Sequence, residues 1–274
     1  MKKSSLNRAL LVLAVIVVVL SIWGPERLAA YREQSILDRI ESREEETDGE
    51  GYRYQLNANE KLYILSQCLN SRTQPQTELS AQTKAEDASY QELTGAYAFV
   101  VNRKGPSGSE ITDEEVYETV NEGLAVLKEL GILPDSIARV QAGDYGATLY
   151  SAIDVPEPRN NVAVWKVSLR GSLQNTNKEN RLIDAYVDAD DGKIYEFYVR
   201  TQMDWEDVDA DALIAAWSSY MGLDAPEVYE TDNPLLETTP YFKKYIFSGM
   251  GDERTIVTVG FYEGIDELFL KISK

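Results

Sequence analysis

The residues best suited to ligand binding in this sequence are acidic, and the most compact group is Asp188, Asp190 and Asp191 followed by Gly192. A calcium loop of the EF-hand type needs acids at its first, third and fifth positions, glycine at the sixth and glutamate at the twelfth. Counted from Asp188, the fifth position is Gly192 and the twelfth is Val199, so the spacing fails. Asp-Asp-Gly between two alternating runs is typical of a hairpin. We therefore predict a turn here, and no metal site.

A second acidic cluster lies before and within the first turn of the last predicted helix: Asp204, Glu206, Asp207, Asp209 and Asp211. Acids at a helix N-terminus cap free amides and complement the helix dipole, and this interpretation is sufficient. A patch that binds a cation or a basic peptide stays open as the alternative. Two carboxylates could also serve a glycosidase, but the chain has 46 acids and nothing selects a pair.

Several kinds of catalytic site are excluded because the chain has no histidine and only one cysteine. Ser–His and Cys–His catalysis and His-rich zinc sites are therefore impossible within this chain. Cys68 lies on an apolar helical face with Leu65 and Leu69, which predicts a buried small side chain. The loop from Gly105 to Gly108 lacks the Lys-Ser/Thr of a phosphate loop. We predict no catalytic, cofactor-binding or metal-binding residues, and no enzyme.

The N-terminus predicts a membrane anchor. Residues Ala9–Trp23 are apolar or small, and Lys2, Lys3 and Arg8 precede them. This charge pattern keeps the first residues in the cytoplasm and exports the rest. A cleaved signal peptide is the alternative, but no small-x-small cleavage site follows, since Leu28 stands two residues before Ala30. We predict a cytoplasmic tail at 1–8, a transmembrane signal anchor at 9–24 and a single-pass protein of the cell membrane.

The exported part is strongly acidic, with a formal net charge of −19 for the whole chain. This charge repels nucleic acid and anionic lipid surfaces, so nucleic acid is not an expected partner. It suits solubility, cations or a basic protein face.

The order of helix and strand signals indicates an α+β fold built from two similar units. A polar helical stalk is predicted at 25–50, a short strand at Tyr52–Leu56, and a linker-like loop at about 71–89. A helix capped by Thr112 and Glu115 stops at Gly131, and strand-like runs follow at about Arg139–Val155, Asn161–Arg170 and Leu182–Arg200. A second helix, capped by Asp207 or Asp209, stops at Gly222, and strands follow again. The predicted domains are 51–201 and 202–274, two αβββ-like units with antiparallel sheets.

Residues Leu182–Val199, LIDAYVDADDGKIYEFYV, resemble the closing hairpin of PepSY-type domains. The resemblance covers Thr112–Thr201, and a looser second copy runs from Asp207 to the C-terminus. The overall layout is similar to that of YycH/YycI proteins, which restrain a membrane sensor kinase in Gram-positive bacteria. PepSY-like modules bind or inhibit proteins, so the resemblance implies binding and supplies no catalytic residues.

The sequence thus leads us to expect a membrane-anchored extracytoplasmic regulatory protein. Its partners would be another membrane or envelope protein, such as a sensor kinase or protease, and the lipid bilayer through the N-terminal helix. Two alternatives stay open: an extracytoplasmic enzyme that uses carboxylates, and a structural scaffold of a membrane complex.

Overall fold

The computed structural model describes residues 53–71, 96–174, 179–229 and 241–274, all within one compact unit, residues 48–274. The predicted tail, anchor and stalk lie outside the described residues, as does nearly all of the predicted linker. In the part of the chain that is described, no helix is long and apolar enough to cross a membrane.

Over the described residues the fold is α+β, as predicted, with three main helices and one antiparallel sheet of nine strands. The helices are α1 (Ala58–Ser71), α2 (Val116–Glu129) and α3 (Ala210–Met221). The strands are β1 (Tyr97–Val101), β2 (Tyr145–Asp154), β3 (Asn161–Leu169), β4 (Arg181–Asp188), β5 (Ile194–Arg200), β6 (Glu227–Tyr229), β7 (Phe242–Ser248), β8 (Arg254–Tyr262) and β9 (Glu267–Ser273). Short helical turns lie at Gly171–Gln174, Trp205–Asp207 and Glu263–Ile265.

The predicted capping pair before α2 is formed, although α2 itself begins only at Val116, four residues after Thr112. Thr112 and Glu115 exchange hydrogen bonds, with the Thr112 amide donating to the Glu115 carboxylate at 3.1 Å and the Glu115 amide to the Thr112 hydroxyl at 3.4 Å. Asn57 and Glu60 form the same reciprocal pair before α1. Asp209, one of the two predicted caps of α3, accepts from the Ala212 amide at 3.0 Å.

Both predicted glycine stops are confirmed. Gly131 follows α2 with φ +70° and Gly222 ends α3 with φ +76°, in the left-handed region that glycine enters at least cost.

Two sequence-based strand predictions are wrong in detail. Residues 53–56 form no strand, because the chain makes one backbone bond there, from the Tyr54 amide to the Arg159 carbonyl, and then enters α1. The run predicted from Arg139 starts as β2 only at Tyr145, because Gln141 and Asp144 form a turn before it. The short strand β6 was not predicted from the sequence.

The strand order, β1-β2-β3-β4-β5-β9-β8-β7-β6, makes one sheet from the strands of both predicted units. β2 to β5 run in sequence toward the middle, and β6 to β9 run toward the middle from the other side. β5 and β9 meet there through four registered pairs, from Phe197 with Leu270 to Arg200 with Glu267. We call this pairing the seam.

Helices α2 and α3 cover the same face of the sheet. Gly123 of α2 lies against the side chain of Ile194, which is paired with Val187. Trp217 of α3 packs edge-on against Phe247 and donates its indole N–H to the Ile194 carbonyl at 3.0 Å. The two helices therefore bury the apolar side of both halves.

Helix α1 lies on the opposite face. Its Lys61 reaches Asp188, which points away from Val187 because successive strand residues alternate between faces. Seven consecutive residues, Leu62–Cys68, are buried. A helix that is buried on all sides must be packed on all sides. α1 contacts β1, β2 and β3 in one half of the sheet and β7, β8 and β9 in the other. The sheet therefore curves around α1, which ties its two halves together.

The β4–β5 turn depends on Gly192, which has φ +74° and packs against Thr119 of α2. A Cβ added at Gly192 would lie 2.4 Å from the Thr119 methyl carbon, whereas one added at Gly251 (φ +62°) would meet nothing within 4 Å. We expect Gly192→Ala to lower the free energy of unfolding by about 3 kcal/mol and Gly251→Ala by about 1 kcal/mol, because only the first adds a clash to the backbone strain. Urea denaturation measures both. Equal losses would contradict the packing of the turn on α2.

Candidate functional site

The acidic motif at Asp188 folds into a closed cluster. Asp188 is 1% exposed, and its Oδ2 accepts hydrogen bonds from Lys61 Nζ at 2.9 Å and from the Tyr195 hydroxyl at 2.6 Å. Its Oδ1 accepts from the Asp190 amide at 2.8 Å. Both carboxylate oxygens thus accept bonds from neighbouring groups of the chain. The predicted turn is confirmed, since the Gly192 amide donates to the Asp188 carbonyl at 3.0 Å and Gly192 takes the left-handed position.

The electrostatics of this cluster follow from burial and the Lys61 contact. Burial raises the pKa of Asp188, and the Lys61 ammonium and Tyr195 hydroxyl partly oppose that effect. Burial alone would lower the pKa of Lys61, but the carboxylates of Asp188 and Asp190 outweigh it and raise the pKa. Tyr195, buried beside this pair, has its pKa raised well above its usual value, chiefly by burial and next by the Asp188 carboxylate.

A second group of charges extends the cluster toward the loop before α2. Arg53 contacts Asp190 at 3.4 Å and forms a salt bridge with Glu110, which is 6% exposed. Glu110 also accepts from the Ser107 amide at 2.8 Å. These contacts join the approach to α1, the loop before α2 and the β4–β5 turn. Within the described residues no three potential ligand side chains are arranged to hold a metal ion.

Cys68 is buried, as predicted, and its thiol donates to the Ala98 carbonyl at 3.3 Å. Burial raises the pKa of this thiol to about 12, which disfavours the reactive thiolate at neutral pH. The side chain acts as part of the core.

Glu196 is a buried carboxylate that the sequence analysis did not identify. It lies on β5 next to the seam, is 5% exposed, and its Oε2 accepts from the Ile272 amide of β9 at 2.9 Å. The registered pairs of β5 and β9 end at Phe197 and Leu270, so the Glu196 side chain replaces a backbone partner. Burial raises its pKa to about 7. The only sequence signal was an acid between apolar residues in a strand-like run.

In the acidic cluster at the start of α3, some carboxylates accept hydrogen bonds from neighbouring groups and others lie exposed at the surface. Asp209 caps the helix, and Asp211 accepts from Lys243 Nζ at 2.6 Å and from the Tyr245 hydroxyl at 2.9 Å. Asp204, Glu206 and Asp207 lie exposed on the segment that leads into α3. The capping interpretation is confirmed for Asp209. The others give this end of the helix a negative surface.

An apolar cleft opens beside these carboxylates, between the end of α2 and the start of α3. We call it the junction cleft; it has a volume of about 170 Å³. Its lining comprises Leu130, Gly131, Ile132, Met203, Asp207, Val208, Asp209, Ala212, Leu213 and Leu268. Leu268 belongs to the seam, where it pairs with Val199. The cleft therefore lies over the place where the halves of the sheet join.

The surface leading into the junction cleft is also apolar. Leu130 at its edge is 44% exposed, and Val126, one turn earlier on the same side of α2, is 38% exposed. A second cleft on α2, of about 240 Å³, is lined by both apolar and charged side chains, among them Glu118 and Arg139, which form a salt bridge with each other. The junction cleft differs from it in lying where the two halves of the sheet join, and its lining includes carboxylates and no lysine or arginine among the described residues.

Comparison with protein-family models, curated proteins and solved structures finds no match. The PepSY-type resemblance therefore stays a prediction. The function has to be argued from the chain's own surface.

The Lys61–Asp188 pair yields a test of the closed cluster. Asp188→Asn removes the buried one of the two carboxylates that contact Lys61 Nζ, while Asp190 Oδ2 stays at 2.9 Å, so we expect it to lower the free energy of unfolding by about 2 kcal/mol. Lys61→Met should cost less in the Asp188→Asn background than alone, since the ionic contact between the two side chains is already lost. Urea denaturation of the two single variants and the double variant gives the coupling. Additive losses would contradict a direct interaction.

Glu196 predicts a specific pH dependence. Its pKa is about 7 in the folded chain and near the ordinary glutamate value of 4.5 in the unfolded chain. Below the lower value both states are protonated and no penalty exists. As the pH rises toward 7, only the unfolded state ionises, so stability falls by about 3 kcal/mol and then stays level.

Glu196→Gln keeps an oxygen acceptor for the Ile272 amide and cannot ionise. We expect it to be more stable than the unsubstituted protein at pH 8 and equally stable at pH 4, measured by urea denaturation. Glu227→Gln, at an exposed acid of β6, is the control and should change neither value. A pH profile that Glu196→Gln leaves unaltered would show that this carboxylate is not held protonated at the seam.

Proposed function

We propose that this chain is a membrane-anchored extracytoplasmic protein that binds and regulates another membrane or envelope protein. The observation that carries the proposal is the apolar junction cleft, open at the surface and rimmed by carboxylates. The buried charged groups of the described chain, by contrast, are engaged with their neighbours, as at Asp188 and Glu196. The chain's accessible recognition features are therefore those of a protein contact.

We further propose that the exported part consists of two PepSY-like units, at 51–201 and 202–274. In each half a helix is followed by four strands that advance toward the seam, α2 then β2 to β5, and α3 then β6 to β9. Both helices lie on the same face. A twofold axis perpendicular to the sheet, passing between β5 and β9, would produce this order and this placement. The arrangement supports an internal duplication.

The membrane part of the proposal rests on the sequence. Residues 9–24 would anchor the chain in the bilayer with residues 1–8 in the cytoplasm, and the stalk at 25–50 would carry the domain outside. By its resemblance to YycH/YycI proteins, the regulated partner would be a sensor kinase. A protease of the envelope would fit the same surface.

A carboxylate-dependent enzyme is the second candidate, and Glu196 is the observation that favours it, because a pKa near 7 suits a general acid or base. Its position weighs against this use. The side chain is 5% exposed, and one of its oxygens is bonded to a backbone amide within the sheet. A substrate would have to open the seam to reach it.

Chemical crosslinking in native membranes tests the proposed function. We expect the full chain to be linked reproducibly to one envelope protein, and a chain lacking residues 1–24 to lose or weaken that link, because the anchor places the domain beside its partner. Glu196→Gln serves as the catalytic control and should leave the link and the biological activity intact. No specific adduct, together with activity lost only in Glu196→Gln, would contradict binding and favour the enzyme.

A further inference from the structure

We propose that the junction cleft receives one large apolar side chain from a partner segment in which lysine or arginine residues flank that side chain. This inference rests on the proposed function, since it defines the chemistry of the protein that is bound. The residues that carry it lie at the end of α2 and the start of α3, and they are independent of the predicted anchor and of the family resemblance.

The size of the cleft selects a side chain over a small-molecule ligand. Pockets for drug-sized ligands usually have volumes of about 300 to 1,000 Å³, and this cleft has about 170 Å³. An apolar cavity of about 150 Å³ is large enough to bind benzene. The junction cleft therefore fits one phenyl ring or one branched aliphatic side chain.

The walls of the cleft favour an apolar occupant. Ile132, Leu213 and Leu268 are all less than 9% exposed, and Met203 and Val208 are half-buried. Each apolar atom that an incoming side chain removes from water lowers the free energy of the complex. Val126 and Leu130 extend the apolar contact along α2.

The charged residues at the edge of the cleft indicate which charge the residues that flank the inserted side chain should carry. Asp207 and Asp209 belong to the lining, and the exposed acids Glu129, Asp204 and Glu206 lie within three residues of lining positions. The nearby cation Lys128 is engaged by the Ile137 carbonyl at 2.6 Å. A segment with lysine or arginine on either side of the inserted residue complements this rim, and an acidic segment is repelled.

The same rim disfavours two other occupants. An anionic lipid surface would be repelled by the carboxylates. A second copy would bring an identical acidic rim against the first in a twofold contact, and the chain already has a net charge of −19. A basic segment of another protein is therefore the occupant to which the charges point.

Peptide binding to the full chain, held in nanodiscs of zwitterionic lipid, tests the inference. The probe is the blocked peptide Lys-Lys-Gly-Phe-Gly-Lys-Lys with a fluorophore, followed by anisotropy. One comparison peptide has serine in place of phenylalanine, and another has glutamate in place of every lysine. We expect each change to weaken binding by at least about tenfold, and binding to weaken further between about 0.05 and 0.5 M salt.

Matched substitutions on one helix locate the site. Ala212 lines the cleft and is exposed on α3, so Ala212→Phe should fill the cleft without disturbing the core. Ala215 is exposed on the same helix but does not line the cleft. We expect Ala212→Phe to weaken the phenylalanine peptide by at least about tenfold and Ala215→Phe to leave it unchanged. Asp207→Asn should reduce the salt dependence, with Asp252→Asn, in the β7–β8 turn, as its control.

Equal binding of the serine peptide, or equal binding by Ala212→Phe and the unsubstituted chain, would overturn the inference. A concentration-dependent dimer in sedimentation that Ala212→Phe abolishes would assign the cleft to a second copy and also overturn it. The membrane crosslinking experiment distinguishes a failure of this inference from a failure of the proposed function. If a specific partner is still linked to Ala212→Phe, the proposed function stands and the cleft is not its site.

Discussion

The structure depends above all on the pairing of β5 with β9. Four residue pairs connect the two halves of a nine-stranded sheet, and the contact is extended by the Glu196 carboxylate, which accepts the Ile272 amide where the registered pairs end. α2 and α3 then cover one face across this seam. α1 lies on the other face, in contact with strands of both halves, and so holds the sheet curved. The junction cleft exists because the end of α2 and the start of α3, which belong to separate halves, lie next to each other above Leu268.

Local features could be predicted from the sequence, and long-range features could not. The capping pair Thr112 and Glu115, the stop at Gly131 and the turn at Gly192 involve neighbours within a few residues, so hydrogen-bonding chemistry alone determines them. The seam, by contrast, joins residues about 70 positions apart, and alternating strands carry no information on which edge they will pair with. Asp188 shows the same division, because its turn was predictable and its bond to Lys61, 127 residues away, was not. The junction cleft could not be predicted either, because its lining comes from three segments that are distant in the sequence.

Charge has two distinct roles in this chain. Inside, carboxylates at Asp188, Glu110 and Glu196 are satisfied by an ammonium, a guanidinium and a backbone amide, and they fix the relative positions of α1, the β4–β5 turn and the seam. Outside, Asp204, Glu206 and Asp207 lie exposed before α3, and Asp207 belongs to the lining of the junction cleft. A surface of that kind suits recognition, in which apolar burial supplies affinity and charge selects the partner. Under the proposed function, the acidic composition would serve recognition as well as solubility.

Site-specific photocrosslinking from the mouth of the junction cleft is the most direct test of this account. A photoreactive phenylalanine analogue would replace Leu130, which is 44% exposed at the cleft, or Val228, which is 55% exposed on β6 at the far edge of the sheet, in the full chain in its native membrane. The account predicts an adduct with another envelope protein from position 130 that the lysine-flanked phenylalanine peptide suppresses, and no such adduct from position 228. The same adducts from both positions, unaffected by the peptide, would contradict it.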